Sequence, residues 1–270
     1  MPAARIPDVP QTFAGKVITI AGASRGTGLA TARQLLARGA AVSISSSSAE
    51  NIAAAKASLL GEYPDAADRL HSCTADITKL EQVEAWIAEV MQRFGSIDGC
   101  ANVSGKEQRY ISPLTDMSLK DWHEIVDVNL NGMFHLLREQ LKVVANGGSI
   151  VNVGSVNSKC ASYGQGAYIA SKHALMGLTK AAAFEAAPKG IRVNALNPGG
   201  INSEMTAKPF ILPDGSEFIS TGETLPQLFR RMAEPDEIAS SICFLLGDDS
   251  KFVTKAIWDI DGGFMESNFT

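Results

Sequence analysis

KVITIAGASRGTGLATARQLLARG, residues 16 to 39, sets a β-branched run, a glycine-rich turn and a helical pattern in immediate succession. KVITIAG is a β-branched run that ends in glycine, the pattern of a buried strand. GLATARQLLARG then places Leu29, Ala32, Leu35 and Leu36 on one helical face, with Gly39 as a stop signal. Between them, Gly22, Gly26 and Gly28 let the chain turn tightly and bring backbone N–H groups to the helix N-terminus, where a pyrophosphate is favourably held.

The same alternation continues along the chain. AAVSIS, RLHSCTAD, IDGCANVSG, GSIVNVGS, IRVNALNPGG and KAIWDIDGG read as six further strands. Between them lie helical patterns, including LEQVEAWIAEVMQRFG, a long one from Leu119 to Ala145, and AYIASKHALMGLTKAAAFEAAPKG. Apolar strands alternating with helices predict an α/β fold: one doubly wound Rossmann-type domain, with a parallel sheet of about seven strands and helices on both faces. The domain is expected over 13–270, after a proline-interrupted tail at 1–12. Residues 202–234 lack periodicity and hold Pro209, Pro213, Gly222 and Pro226. A long irregular insertion of this kind is expected to be a substrate lid or binding loop.

With 270 residues, 45% hydrophobic and 20% charged, the chain has the composition of an ordinary globular protein. A net charge of −5 with no run of like charges argues against a nucleic-acid groove or a polybasic membrane surface. Cys73, Cys100, Cys160 and Cys243 are scattered. They suggest neither zinc ligands nor a disulfide framework, so a reduced, cytoplasmic setting and no metal are expected. The N-terminus lacks an apolar core of the signal-peptide type, and no apolar stretch is long enough to span a bilayer. Asn268-Phe269-Thr270 fits a glycosylation sequon and is read as chance in that setting.

AGASRGTG has the spacing G-x-x-x-G-x-G and resembles the cofactor turn of the short-chain dehydrogenase/reductase family, with Ala21 for the family's threonine and Thr27 for its isoleucine. The resemblance runs from about Phe13 to Gly263. It places Ser24, Arg25 and Thr27 with the three glycines against a dinucleotide, and Asp76 and Ile77 at the adenine. Asn102 and Gly105 match the Asn-Asn-Ala-Gly segment, while Pro198, Gly199, Ile201 and Ser203 match the segment beside the nicotinamide. An acidic residue ending the second strand would accept from the ribose 2′-OH of NAD and repel the 2′-phosphate of NADP. Ser46 stands there instead, followed by Ser47, where many NADP-dependent relatives carry a second arginine. With Arg25 as the basic residue near that phosphate, the cofactor is predicted to be NADP(H).

SVNSKCASYGQGAYIASK, residues 155 to 172, contains two tyrosines and two lysines. Residues four apart share a helix face, and a nearby ammonium favours phenolate. Tyr168 and Lys172 have that spacing; Tyr163 and Lys159 do not. By resemblance, Tyr168 and Lys172 are the family's Tyr-x-x-x-Lys. Ser155, thirteen residues before the tyrosine, is its substrate-oxygen serine. Asn129 is the asparagine that holds a water behind the lysine. The resemblance implies that Ser155 and Tyr168 hold a carbonyl oxygen and that Tyr168 gives up its proton. Lys172 is expected to lower the tyrosine pKa and, with Tyr168, to touch the nicotinamide end of the cofactor.

Specificity is expected in three places: 156–163, the GKEQRYISP loop from Gly105 to Pro113, and 202–234. The last carries Met205, Phe210, Ile211, Leu212, Phe218, Leu225, Leu228 and Phe229, which suits a bulky, largely apolar small molecule. Lys106, Arg109 and Lys208 are candidates to face an acyl carrier. Reduction of a C=N or C=C bond, or dinucleotide sensing without catalysis, remain alternatives to carbonyl reduction. Relatives in the family assemble as dimers or tetramers, and a homodimer or homotetramer is expected here.

Overall fold

Alternate residues of the first strand, β1 (Val17–Ala21), enter two different cores. Ile18 and Ile20 pack on one face of the sheet, and Val17 and Ala21 on the other. The computed structural model describes residues 10–264. Most of the expected tail, residues 1–9, lies outside the described residues, as does the Asn268-Phe269-Thr270 sequon.

After β1 come α1 (Gly26–Ala37), β2 (Ala41–Ser46), α2 (Ala49–Glu62), β3 (Leu70–Thr74), α3 (Leu80–Phe94) and β4 (Ile97–Asn102). Helices α4 (Leu119–Val126) and α5 (Met133–Val143) precede β5 (Val144–Val153), α6 (Gly166–Ala186) and β6 (Arg192–Pro198). A short hairpin, β7 (Phe210–Ile211) with β8 (Glu217–Phe218), leads to α7 (Pro235–Leu246) and β9 (Ile257–Ile260). The seven long strands form one parallel sheet in the order β3-β2-β1-β4-β5-β6-β9, as expected.

One face is covered around Leu35, Leu36, Ile238 and Ile242 of α1 and α7. The other is covered by Trp86, Val90, Leu136 and Leu175 of α3, α5 and α6. The strand order reverses between β1 and β4, which opens a crevice at their C-terminal ends.

The pattern from Leu119 to Ala145 predicts one continuous helix, and the structure differs. Residues Asp127–Gly132 form a π-helical turn between α4 and α5. The wider turn rotates Asn129 into the interior, where it is fully buried. Residues 202–234 are irregular apart from the β7–β8 hairpin, yet they are tied down along their length. Isolated bridges join Ile201 to Ala233, Tyr110 to Ile211 and Gln227 to Phe264. Among the described residues no helix is long and apolar enough to cross a membrane, and no cluster of side chains is arranged to hold a metal ion.

Candidate active site

A cavity of about 1150 Å³ opens at the crevice. Its first end is built by the β1–α1 turn. Gly22 has φ +82°, and a Cβ there would lie 2.7 Å from the Ser104 backbone; a Cβ on Gly28 would lie 2.2 Å from the Gly22 carbonyl oxygen. Only glycine allows this close approach of two turns and a helix. Arg25 ends the turn without capping α1 through its side chain, and no acidic residue occupies the first helical turn. The N-terminal N–H groups and the positive end of the helix dipole therefore face the cavity. The cradle fits a dinucleotide pyrophosphate. Ser24, Arg25, Gly26, Thr27, Ser46 and Ser47 line this end, together with Ser48 and Asn51.

Further along the cavity wall lie Asp76, Ile77 and Gly105, and opposite them Pro198, Gly199, Ile201 and Ser203. One Asp76 carboxyl oxygen is already used, accepting from the Thr78 N–H and hydroxyl at 2.9 Å each. Asn102 is not among the residues that line the cavity. Its amide is fully buried away from the cavity and exchanges hydrogen bonds with Gln140 at 2.9 and 2.8 Å and donates to Asn152 at 2.9 Å. Its side chain holds α5 to the sheet and cannot also reach a cofactor.

At the second end, Ser155, Tyr168 and Lys172 come together from the end of β5 and the first turns of α6. Ser155 stands close enough to Tyr168 to favour its phenolate. Lys172 Nζ lies 5.6 Å from the centre of the Tyr168 ring and donates to the Val153 carbonyl at 3.1 Å. Tyr163 also lines the cavity but is 73% exposed, and Lys159 is ion-paired with Asp259. The four-residue spacing thus selects a half-buried tyrosine and a buried lysine.

The electrostatics depart from expectation. Burial first, then the charge of Glu107, push the Tyr168 phenol up to about 12, against the Ser155 hydrogen bond. Burial pulls Lys172 down to about 8.

Asn129 does not line the cavity; it lies behind Gly105. Its amide clasps the Lys106 backbone, accepting from the N–H at 2.7 Å and donating to the carbonyl at 2.8 Å, with a further bond to Ser171 at 3.3 Å. A Cβ on Gly105 would lie 3.5 Å from Asn129 Oδ1 and 3.6 Å from Lys172 Nζ. What the geometry gives Asn129 is a hold on the loop after β4, one glycine from the lysine.

That loop holds the residues the sequence reading missed. Gln108 is buried, donating to the Gly164 carbonyl at 2.6 Å and accepting from the Tyr168 N–H at 3.3 Å. Glu107 lines the cavity beside it. Asn51 is missed as well, although its place three residues after the helix-capping Ser48 was a usable signal. The cations proposed for an acyl carrier are largely engaged: Lys106 pairs with Glu124 at 2.6 Å, and Arg109 turns inward to Glu107 and to the Met205 and Lys208 carbonyls.

A family model described as Enoyl-(Acyl carrier protein) reductase matches residues 22–265. The chain is 38% identical over 259 residues to the short-chain dehydrogenase/reductase ABA4 of Pyricularia oryzae, covering 94% of this chain and 93% of that one. The chain belongs to the short-chain dehydrogenase/reductase family. Levodione reductase of Leifsonia aquatica is 35% identical to this short-chain dehydrogenase/reductase over 255 residues, 93% of this chain and 94% of the relative. A solved short-chain dehydrogenase/reductase from Serratia marcescens superposes with a TM-score of 0.83 at 28% identity, over 95% of this chain and all of that one. As a member of the family, the protein is an oxidoreductase that works with a nicotinamide dinucleotide.

Proposed function

We propose that this short-chain dehydrogenase/reductase uses NADPH to reduce a ketone on a bulky, largely apolar small molecule. The observation that carries the reading is that Ser155, Tyr168 and Lys172 line the same cavity as the glycine-built dinucleotide cradle. Bound there, the reduced nicotinamide supplies the hydride. Ser155 and Tyr168 aim two hydroxyls at one point, the place for a carbonyl oxygen that gains negative charge. Tyr168, with its pKa near 12, holds its proton until the oxygen needs it and then donates it. Lys172, with its pKa near 8, returns a proton at close to neutral pH.

NADPH is favoured by the first end of the cavity. Ser46, Ser47, Ser48 and Asn51 all offer hydrogen-bond donors, and none is acidic. Arg25 pairs with Glu204 at 3.6 Å, both exposed. Such a pair is worth about 1 kcal/mol or less, and a 2′-phosphate, with more charge and more acceptor oxygens, displaces the carboxylate. Residues 202–234 form the substrate lid, with Phe210, Leu212, Phe218 and Leu225 turned to the cavity. Exposed Phe134 and Phe184, on α5 and α6, suit assembly into a homodimer or homotetramer.

The test is NADPH oxidation against a panel of ketones, quinones and imines, with NADH alongside. Ketone-dependent oxidation with a higher kcat/KM for NADPH is expected; a higher value for NADH overturns the cofactor assignment. The enoyl-reductase description of the family model supports a second reading, C=C reduction. In that case Tyr168→Phe retains most turnover, whereas ketone reduction is lost.

A further inference from the structure

The helix that carries Tyr168 starts without a cap of its own. Gln165, at the N-cap of α6, has ψ +33° instead of extended backbone, and its side chain makes no bond to the first turn. That side chain accepts from Asn157 Nδ2 at 3.1 Å instead. The Ile169 N–H reaches the Gln165 carbonyl at 2.9 Å, so the helical ladder begins one residue after Tyr168. The Tyr168 N–H is one of the orphan donors of the helix start. Its acceptor comes from 60 residues earlier in the chain: Gln108 Oε1, at 3.3 Å.

Gln108 is 3% exposed, and its whole amide is engaged. Besides accepting from Tyr168, it donates through Nε2 to the Gly164 carbonyl at 2.6 Å and to the Tyr110 carbonyl at 3.1 Å. Gly164, just before α6, packs on the same loop: a Cβ there would lie 2.5 Å from Ile111 Cγ2 and 2.9 Å from the Ser112 nitrogen. The loop is bonded in turn to residues 202–234. The Ile111 N–H donates to the Ile211 carbonyl, and the Ile211 N–H to the Arg109 carbonyl, each at 2.9 Å. Gln108 stands where these two segments meet the first turn of α6.

Resting on the reading of Tyr168 as proton donor, we infer that Gln108 is a positioning residue: it caps α6 from outside the helix and thereby fixes the phenol where the carbonyl oxygen is held. Gln108 is not among the residues that line the cavity, so it acts through the tyrosine and not on the substrate. A misplacement of about 1 Å at a reacting group costs up to about 10²-fold in rate. Binding of cofactor and ketone rests on other side chains, so the loss falls on kcat.

The experiment uses whichever of cyclohexanone, 2-decalone and 1-tetralone the wild type reduces fastest with NADPH. It measures kcat, KM and the solvent deuterium isotope effect in the wild type, Gln108→Met, Gln108→Asn and Gln108→Glu. Methionine matches the glutamine in length without its polar groups. Asparagine keeps them one methylene short of the Tyr168 N–H, and carries the test if Gln108→Met does not fold. Gln108→Glu is compared with the wild type at about pH 6, where burial beside two carbonyls keeps the carboxyl protonated, an oxygen for Tyr168 and a hydroxyl for Gly164. In Gln108→Met and Gln108→Asn, kcat is expected to fall about 10- to 100-fold, with ketone KM and NADPH affinity by fluorescence within about threefold. The isotope effect rises in both, because proton transfer has become slower. Gln108→Glu keeps kcat within about threefold of the wild type. Unchanged kcat in the methionine and asparagine variants overturns the inference. A raised KM at unchanged kcat also overturns it and leaves Gln108 as a tie for the loop alone. NADPH affinity falling together with kcat, an unchanged isotope effect, or an equal loss in Gln108→Glu overturns it in favour of general loosening of the fold. If Tyr168→Phe keeps its turnover, or no ketone is reduced, the carbonyl-reduction reading falls and the inference with it.

Discussion

The floor and the roof of the cavity are built differently. The floor consists of Ser155, Tyr168 and Lys172 on β5 and α6, with Lys172 buried and Asn129 buried behind them. Its contacts are buried, and its neighbours are strands paired on both sides. The roof, 202–234, has one two-residue hairpin and is held by three isolated bridges and the Arg109 and Gln227 side chains. Leu228 and Phe229 stay more than half exposed. The floor is built of side chains on paired strands and a long helix, whereas the roof is irregular chain tied at intervals. On the proposed reading, proton transfer falls to the regular part and substrate selection to the irregular one.

The largest effect that would sharpen this division is expected from Tyr168→Phe. Ketone reduction should fall by about 10³-fold or more, with NADPH binding by fluorescence unchanged; a loss under tenfold breaks the floor's claim to the chemistry.

Next is Lys172→Met. Burial lowers the lysine pKa from 10.5 to about 8, so the folded state disfavours the ammonium. That cost is complete below pH 8, fades as pH rises from 8 to 10.5, and is gone above. Against the lost Val153 hydrogen bond, the variant should be more stable by about 2 kcal/mol at pH 7, while its activity collapses. Denaturant unfolding at pH 7 and pH 10 would show the gain shrinking; a destabilised variant at pH 7 would mean that the floor is not under electrostatic strain.

Arg109→Ala releases the roof at Met205, Lys208 and the face of Phe210. KM for ketone should rise about tenfold with kcat within about threefold, the signature of lost uniform binding. An equal fall in kcat would mean that roof and floor are one unit.

Smallest is Glu204→Gln. Freed of its exposed partner, Arg25 should bind NADPH about two- to threefold more tightly and NADH no differently. An NADH effect of the same size would remove the argument from the 2′-phosphate.

Local signals were legible in the sequence and distant ones were not. The strand–turn–helix at 16–39 and the four-residue spacing of Tyr168 and Lys172 follow from backbone geometry within a few residues, and both stand in the structure. The π-helical turn at Asp127–Gly132 was hidden because hydrophobic periodicity continues through it, and the partner that Asn129 meets inside, the Lys106 backbone, is 23 residues away. The side-chain partners of Asn102, Gln140 and Asn152, were out of reach of a local reading because they lie 38 and 50 residues further along. Glu107 carries no pattern at all. An acid in a polar loop looks solvated until the roof closes over it, and its neighbour Arg109 reaches 96 residues ahead to do so.

Five of the site's ties depend on the residues after α7. Asp259 of β9 holds Lys159 and accepts from Asn197 at 3.2 Å, and Gly262, Gly263 and Phe264 fasten the roof at Gln227, Leu228 and Phe229. A ribosome makes the tyrosine and lysine long before these. At about 5–20 residues per second, several seconds pass with the reactive pair synthesised and its enclosure unfinished. The tyrosine and lysine are thus made before the residues that complete the walls around them.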